Sequence, residues 1–485
     1  TRVDENGLVN YAEIIGGEEV TNGDFATDSD WTKGSAWSIS GNNANFDDST
    51  NSGISQSMVF TASKTYKVDF EITSGSGSIA FLSSNGVTTY VGYATYGVGT
   101  YSVEFNYTTG SGFGIFGSSF LGGAFSITNV SVKEVTRDNV PRIDYTGGGC
   151  PHILAEPQRT NLITYSSDFS NAAWIKSNST IATTTETVSP DGTENASKLT
   201  VIAVQWSGLY ITGNAASNKY SMSVFAKKGD KDWLYFVDLN GATVIAWFNI
   251  SNGTLGTITN GTATINDFGN GWYRCTYSDT NNVSNNYFQL GLSDANNSNT
   301  PSSGGYSYIY GAQAEVGSYP TSLIPTNGEA GGVTRNQDIF TRDGIGSLIN
   351  STEGVLFAEM AVLSDDSTLK SITLSDGTGG NRVIINYSNA SNRLTADVRV
   401  GAVGQAFMQT YSYTITNFLK IALKYKENDF ALWVNGTEVA TATSGSTFPA
   451  NTLNRLGLDN GASGELLFGK VKQLQVYDTS LSDTQ

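Results

Sequence analysis

The sequence predicts an all-β protein of three antiparallel β-sandwiches in series, two of them jelly rolls, joined by extended connectors. Three observations predict it. Gly numbers 54 against 8 Pro and 4 Met, and Ser, Thr and Asn abound, so turn residues are plentiful. Apolar runs are short, rich in Val, Ile, Phe and Tyr, and alternate with polar residues as half-buried strands do. One phrase is also written twice. VTNGDFATDSDW (20–31) and EPQRTNLITYSSDFSNAAW (156–174) share Asp-Phe, a few small polar residues and a Trp.

Taken in order, residues 1–17 form an arm or hairpin ahead of the first copy. The first jelly roll, 18–136, opens on Asp24-Phe25 and Trp31 and closes on AFSITNVSVKEV. A connector, 137–160, follows. The second jelly roll, 161–326, opens on Asp168-Phe169 and Trp174 and closes on YSYIYGAQAEVGSYP. Both closing strands alternate, end on Glu-Val (Glu134-Val135 and Glu315-Val316) and are expected to be buried on one face. Short strands with Gly and Asn turns lie between, which is the pattern of a double-sheet jelly roll. Trp31, Trp174 and Trp272 read as packing residues. A second connector spans 327–350. Both connectors carry apolar residues at intervals and are expected to be extended and partly docked.

The third sandwich, 351–485, lacks the Asp-Phe…Trp opening. Leu419, Ile421, Leu423 and Tyr425 point one way, Lys420 and Lys424 the other. Asn435-Gly436 signals a type I′ hairpin. Phe430, Leu432 and Val434 then face the core and Trp433 faces away.

Composition excludes several functions. A chain of 485 residues allows roughly three domains. Its net charge of −17 and lack of a Lys/Arg cluster argue against nucleic acid. No apolar run reaches a membrane span, so no membrane insertion is expected. The start, TRVDENGL, shows neither a signal peptide nor an initiator Met, as in a processed form or fragment. Cys150 and Cys275 make no disulfide framework, and one bridge between them stays open. The single His, His152, lies in a Gly-rich connector and reads as structural or solvated.

No enzyme is expected and no catalytic residue is assigned. The strand GVLFAEMAV offers only Glu359, whereas glycoside hydrolysis needs a pair of carboxylates across a cleft. Calcium is the one cofactor the loops suit, at Asp365, Asp366 and Asp376, against the plain alternative of solvated turns. Sugar binding needs flat aromatic faces beside amides and carboxylates. The aromatic residues in polar surroundings are Trp206 and Tyr210 in VQWSGLY, Tyr90, Tyr93 and Tyr96 in TTYVGYATYG, and Trp433. The alternative for each is a partly exposed packing residue.

The segment VPRIDYTGGGCPHILAEPQRTNLITYSSDFSNAAW strongly resembles one common in virion proteins of tailed bacteriophages, in tail fibres, tail spikes and related surface proteins. There it leads into a carbohydrate-binding-module-like jelly roll with a Gly-Trp-Tyr-Arg-Cys strand, here Gly271 to Cys275. That domain closes on a phrase like YPTSLIPT…VTRNQD, here Tyr319 to Asp338. The opening TRVDENGL resembles the hairpin that precedes Val-Pro-Arg-Ile-Asp-Tyr in the same proteins. In those relatives the two are near neighbours, so the first jelly roll looks like an inserted or duplicated module. Residues from Glu353 onward resemble a concanavalin A-like (laminin-G-like) sandwich, down to the closing GKVKQLQVYDTSLSDTQ.

The resemblance implies a virion surface protein, on tail or capsid, assembled in the host cytoplasm. Its implied partners are cell-surface or mucus glycans, other virion proteins and further copies of itself. The runner-up is a structural decoration protein without ligand; a secreted adhesin or polysaccharide depolymerase is a third reading. Arg142, Asp144, Glu156 and Arg159, in the resembling segment, are expected to fix a junction between sandwiches by Arg–carboxylate and Arg–backbone bonds.

Overall fold

The computed structural model describes residues 1–482 apart from 138–139, 204–205, 213–217, 238–243 and 281–286. Among the described residues every pair of strands is antiparallel, and the helical element is a single 3₁₀ turn, Gly346–Leu348. The chain divides into two compact units: Ala12–Val140, and Thr1–Tyr11 together with Pro141–Gln485.

The unit Ala12–Val140 is one sandwich. One sheet runs in the order Thr89–Tyr96, Gly77–Leu82, Phe113–Ser118, Ser52–Gln56, Thr32–Lys33. The other runs Gly99–Tyr107, Lys64–Gly75, Phe125–Thr136, Asn43–Phe46, Trp37–Ser40, with Ile14–Glu18 also on Phe125–Thr136. Period-two alternation sends Tyr66, Val68, Phe70 and Ile72 inward against Ile79, Phe81, Phe113 and Ile115.

The repeated phrase is a packing device used once in each unit. Trp31 lies against Phe25 at 5.1 Å and its indole Nε1 donates to the carbonyl of Asn22, nine residues back, at 3.0 Å. Trp174 lies against Phe169 at 4.9 Å and donates to the carbonyl of Tyr165, also nine residues back, at 2.8 Å. Each Trp is buried with its one polar atom satisfied, as a buried indole must be. Truncating either ring removes a core anchor worth about 3–5 kcal/mol.

In the larger unit the second sandwich pairs two six-stranded sheets. The first runs Ile175–Ser177, Gly208–Thr212, Tyr287–Ser293, Trp233–Val237, Val244–Asn249, Thr254–Ile258. The second runs Ser179–Thr183, Ser197–Val201, Tyr306–Val316, Tyr220–Lys228, Trp272–Asp279, Gly261–Asp267. The closing strand Tyr306–Val316 is buried on both faces rather than one. Its outward Gln313 and Glu315 are covered by the following chain. Glu315 accepts hydrogen bonds from Thr321 N and Oγ1, both at 2.7 Å, and Gln313 Nε2 donates to Thr321 and Ser322 carbonyls at 3.3 Å.

The third sandwich holds the expected alternation. Leu419, Ile421, Leu423, Tyr425, Phe430, Leu432 and Val434 are all in its core. Asn435 and Gly436 turn the hairpin at φ 51° and 78°. Its seven-stranded sheet runs Ile143–Asp144, His152–Ala155, Gly469–Tyr477, Glu353–Val362, Leu419–Lys426, Phe430–Val434, Thr437–Ala442. The first two strands come from the first connector. The two connectors also pair with each other, Arg159–Asn161 against Val333–Arg335. They are structural strands, and both cysteines are free.

Where the connectors meet lies a buried charge cluster. Arg142 Nη1 donates to Glu156 Oε2 at 2.5 Å and to Ser322 Oγ at 2.8 Å, and its Nη2 pairs with Asp338. Arg335 Nη1 reaches Glu156 Oε2 at 2.6 Å, and Ser322 N donates to Glu156 Oε1 at 2.8 Å. Asp338 in turn accepts the Glu156 backbone N–H at 2.7 Å. Arg159 lies over the Tyr319 ring at 5.4 Å with its Nε 3.7 Å from Glu315. Asp144 accepts the Val3 N–H at 3.0 Å and faces His152 Nε2 at 3.5 Å. Of the four sequence-selected residues, Arg142 and Glu156 meet in the cluster, Asp144 holds the Val3 N–H and faces His152, and Arg159 packs on Tyr319 with its Nε unbonded.

Burial alone would raise the Glu156 carboxyl, but Arg335 and Arg142 overcome it and hold the group well below the carboxylate range. Burial drives His152 down from 6.5 to about 4, against the opposing pull of Asp144. Both shifts act in one direction. As pH falls the unfolded chain protonates His152 near 6.5 and Glu156 near 4.5, while the folded chain resists. Stability of this unit should fall from about pH 6.5 downward and steepen below about 4.5. Thermal scans across pH check this; His152→Leu should flatten the upper part and Glu156→Gln the lower.

The smaller unit leaves the larger one between Tyr11 and Pro141. Asn10 pairs with Arg2, whose guanidinium donates to the Ile143 carbonyl at 2.9 Å, so exit and return both lie beside the strand Arg2–Val3. A chain with Ala12–Val140 replaced by a short Gly-Ser linker should stay soluble and melt cooperatively; aggregation of that variant in size-exclusion runs would count against it.

Candidate functional site

The first sandwich places its three candidate tyrosines unequally. The strand Thr89–Tyr96 carries register shifts after Thr89 and Val91, which break strict alternation. Tyr90 stacks on Phe105 at 4.7 Å and 9°, and its hydroxyl donates to the Gly112 carbonyl at 3.0 Å. Burial pushes its phenol up to about 12. Tyr96 packs on Phe70 and Tyr101 at 5.1 and 4.9 Å. Tyr90 and Tyr96 are packing residues, and Tyr93 is left exposed.

In the third sandwich Trp433 faces away from the core, half-buried, opposite Ala422 and Glu438. The three carboxylates considered for calcium are not brought together. Asp365 accepts from Ser391 Oγ and Asn392 N at 2.5 and 3.0 Å. Asp366 holds Lys370 and Thr368, and Asp376 holds Thr378 and Asn381. Among the described residues no group of three or more His, Cys, Asp or Glu is arranged to hold a metal ion.

The second sandwich gathers its aromatics on the outer face of one sheet. Leu209, Ile211, Leu234, Phe236, Phe248 and Phe288 point into the core. Alternation therefore sends Tyr210, Trp233, Tyr235 and Trp247 the other way. Register aligns Gly291, Tyr235 and Trp247 in one row, and Tyr210, Gln289 and Val237 in the next. Trp206 joins them, its ring 6.2 Å from Tyr235 at 62°. Trp206 and Trp233 pack against a buried group formed by Tyr235, Val237, Val244 and Trp247.

Three polar groups of this face are tied down. Tyr235 Oη donates to the Ser207 carbonyl at 3.4 Å, and Trp247 Nε1 to that of Ser298 at 2.9 Å. Asn178 Nδ2 donates to the Trp206 carbonyl at 2.9 Å. The Tyr235 ring lies across Gly291, where a Cβ would come within 2.4 Å of it. The result is a buried aromatic floor with half-buried Trp206 against Tyr235, half-buried Trp233 in the row on one side of Tyr235, and half-buried Tyr210 with Gln289 in the row on the other.

Trp206 and Tyr210 were visible in sequence as aromatics among polar residues. Trp233, Tyr235 and Trp247 were not singled out, because they lie inside apolar strand runs, WLYFV and VIAWF, rather than among polar residues. The usable signal was alternation within WLYFV, where Leu234 and Phe236 mark the inner face. Gly291→Ala should displace Tyr235 and lower stability by about 1–3 kcal/mol, the usual cost of overpacking. Trp206→Ala should change the melting temperature far less, and calorimetry of the two variants side by side checks this.

Comparison with known proteins bears on the C-terminal part. A profile described as the Concanavalin A-like lectin/glucanases superfamily (Laminin_G_3) matches residues 359–485. Solved structures similar to parts of the chain include a sialidase carbohydrate-binding module (CBM40) of Ruminococcus gnavus bound to α2,3-sialyllactose. It has 18% identity and a TM-score of 0.25, covering 30% of this chain and 95% of that one. Sheep galectin-11 in complex with glycerol shows 10% identity and a TM-score of 0.21, covering 29% and 99%. Domains LG4-5 of the mouse laminin α1 chain show 11% and 0.21, covering 58% and 89%. No curated protein matches the chain. The matched region coincides with most of the third sandwich, which is thus a concanavalin A-like β-sandwich in a chain of antiparallel β-sheets.

Proposed function

We propose that this is a surface protein of a tailed-phage virion that attaches the particle to glycans of a cell surface or of mucus. The observation that carries the glycan reading is the aromatic face of the second sandwich. Trp206 and Trp233 present ring surface at the edge of a fixed aromatic floor, and the same sheet face carries Tyr210 and the Gln289 amide. A pyranose needs an apolar platform and a few hydrogen-bonding groups, and this face offers both. The lectin-type third sandwich supports the same reading. The virion reading is supported by the long motifs from Val140 to Trp174 and from Tyr319 to Asp338, which resemble those of phage surface proteins.

The protein binds its glycan without cutting it. Glycoside hydrolysis needs two carboxylates across one sugar. On the strand Glu353–Val362, where a pair would be sought, Glu359 stands opposite Lys420 and Gln473, and Glu353, six residues away, is paired with Lys426. Single contacts are weak and gain strength from many copies on one particle.

Two stacked rings contribute about 2 kcal/mol, or roughly thirtyfold in affinity. Full-length protein should be retained on immobilised host polysaccharide, and the double variant Trp206→Ala, Trp233→Ala should lose that retention with its melting temperature little changed. Retention equal to that of the parent would remove the aromatic-face reading and put a ligand-free decoration role in its place.

A further inference from the structure

The six-stranded sheet of the third sandwich runs Thr341–Arg342, Arg455–Gly457, Lys370–Ser375, Arg382–Tyr387, Leu394–Val400, Val403–Thr410. Its inner face is apolar: Ile372, Leu374, Val383, Ile385, Ala396, Val398, Ala406 and Met408 are core. Register sorts its outer face into three rows. One is Ser375, Arg382, Arg399, Gly404; the next Thr373, Ile384, Asp397, Phe407; the third Ser371, Asn386, Thr395, Gln409.

An outer sheet face is normally wet and its side chains are loosely held. Here Ser371, Thr373, Ser375, Thr395 and Asp397 are buried although they point away from the core. The segment Asp459–Leu466 covers one end. The Asp459 carbonyl accepts from Thr373, the Asn460 carbonyl accepts Arg382 Nη1 at 3.1 Å, and Glu465 Oε2 lies 3.3 Å from Ser371 Oγ. The other end is open, where Arg399, Phe407 and Gln409 are exposed, Phe407 at 58%.

Charge at the open end runs against that of the chain. Arg399 Nε donates to Asp397 Oδ2 at 2.6 Å, and Arg382 Nη2 lies 3.6 Å from the same oxygen. Two guanidinium groups thus share one carboxylate, and Arg382 Nε is buried without a hydrogen-bond partner. Arg393 adds a third cation, held by Gln409 Oε1 at 2.8 Å over the Tyr411 ring at 5.7 Å. A surplus of arginine on one face of a chain of net charge −17 is matched by an anionic ligand.

We propose that this face is a second saccharide site and that it takes a sugar bearing a carboxylate. The planar fork of Arg399 suits a carboxylate bidentately. Phe407 supplies an apolar ring, and Asn386, Thr395 and Gln409 supply groups of the kind that meet hydroxyls. The site lies on a different sandwich from the aromatic face and does not depend on it.

The test uses the full chain on a panel of hyaluronate, alginate, polygalacturonate and sialylated oligosaccharides, each beside its carboxyl-reduced form. At least one acidic glycan should bind at least tenfold more tightly than its reduced form and weaken with salt. Arg399→Ala and Phe407→Ala, both at exposed positions, should each lower that binding about tenfold with unchanged melting temperature, while Trp206→Ala, Trp233→Ala leaves it intact. The proposal is overturned if no acidic glycan is preferred over its reduced form. It is equally overturned if the preference survives Arg399→Ala, or if it disappears with the aromatic-face variant alone.

Discussion

Arg142, Glu156, Arg335 and Asp338 form the seam on which the larger unit depends. Two arginines and two carboxyl groups are withdrawn from water together, so their opposite charges offset one another within the cluster. Such a burial is tolerable only when ions keep close partners; here Ser322 Oγ, Ser322 N and the Glu156 N–H add to the ion pairs, while the Nε of Arg142 and of Arg335 stay buried without a hydrogen bond. The cluster gathers residues 142, 156, 322, 335 and 338, which the chain separates by a whole sandwich. Around it the two connectors pair, one hairpin joins the seven-stranded sheet, and the outward face of Tyr306–Val316 is sealed. Removing one partner strands the others as buried charges, typically at a cost of 3–5 kcal/mol.

With stability vested in inner faces and seam, the outer faces are free to carry chemistry. On the second sandwich the outer face is aromatic, and its floor is fixed by Gly291 beneath Tyr235 and by the Trp247 hydrogen bond. On the third it is polar and Arg-rich, and its floor is fixed by hydroxyls tied to the segment Asp459–Leu466. In both, the residues nearest solvent stand on partners that are fully buried. That arrangement pre-pays the ordering of the side chains a ligand would meet, which is how a shallow face gains affinity without a deep pocket.

Much of the fold was legible because its signals are local. Alternation located Leu419 to Tyr425, Asn435-Gly436 located a hairpin, and the Asp-Phe…Trp phrase located the two Trp anchors with identical nine-residue indole hydrogen bonds. What was not legible depends on pairing between distant strands. Ile143–Asp144 and His152–Ala155 read as connector because nothing near them in sequence announces Gly469–Tyr477. Glu315 and Gln313 read as a wet face because their cover, Tyr319 to Ile324, is recognised only once folded. Tyr90 and Tyr96 read as surface because bulges after Thr89 and Val91 cannot be seen in a three-residue spacing. Arg382, Asp397 and Phe407 lie on three different strands, and only register makes them neighbours.

The seam gives the two faces a further property. Two weak sites joined by a loose linker gain from each other over a broad range of ligand spacings. Two sites on sandwiches fixed by a buried ionic seam and a shared hairpin gain only where the ligand presents its neutral and acidic sugars at the matching distance and direction. If both faces bind sugar as proposed, a rigid joint makes them together a more demanding reader of polymer repeat than either is alone. The ionic character of the seam matters to this: hydrogen-bonded ion pairs fix angle as well as distance, whereas an apolar patch of the same area would tolerate sliding. Selectivity for a repeating acidic polysaccharide would then reside as much in Arg142 and Glu156, which touch no sugar, as in the residues that do.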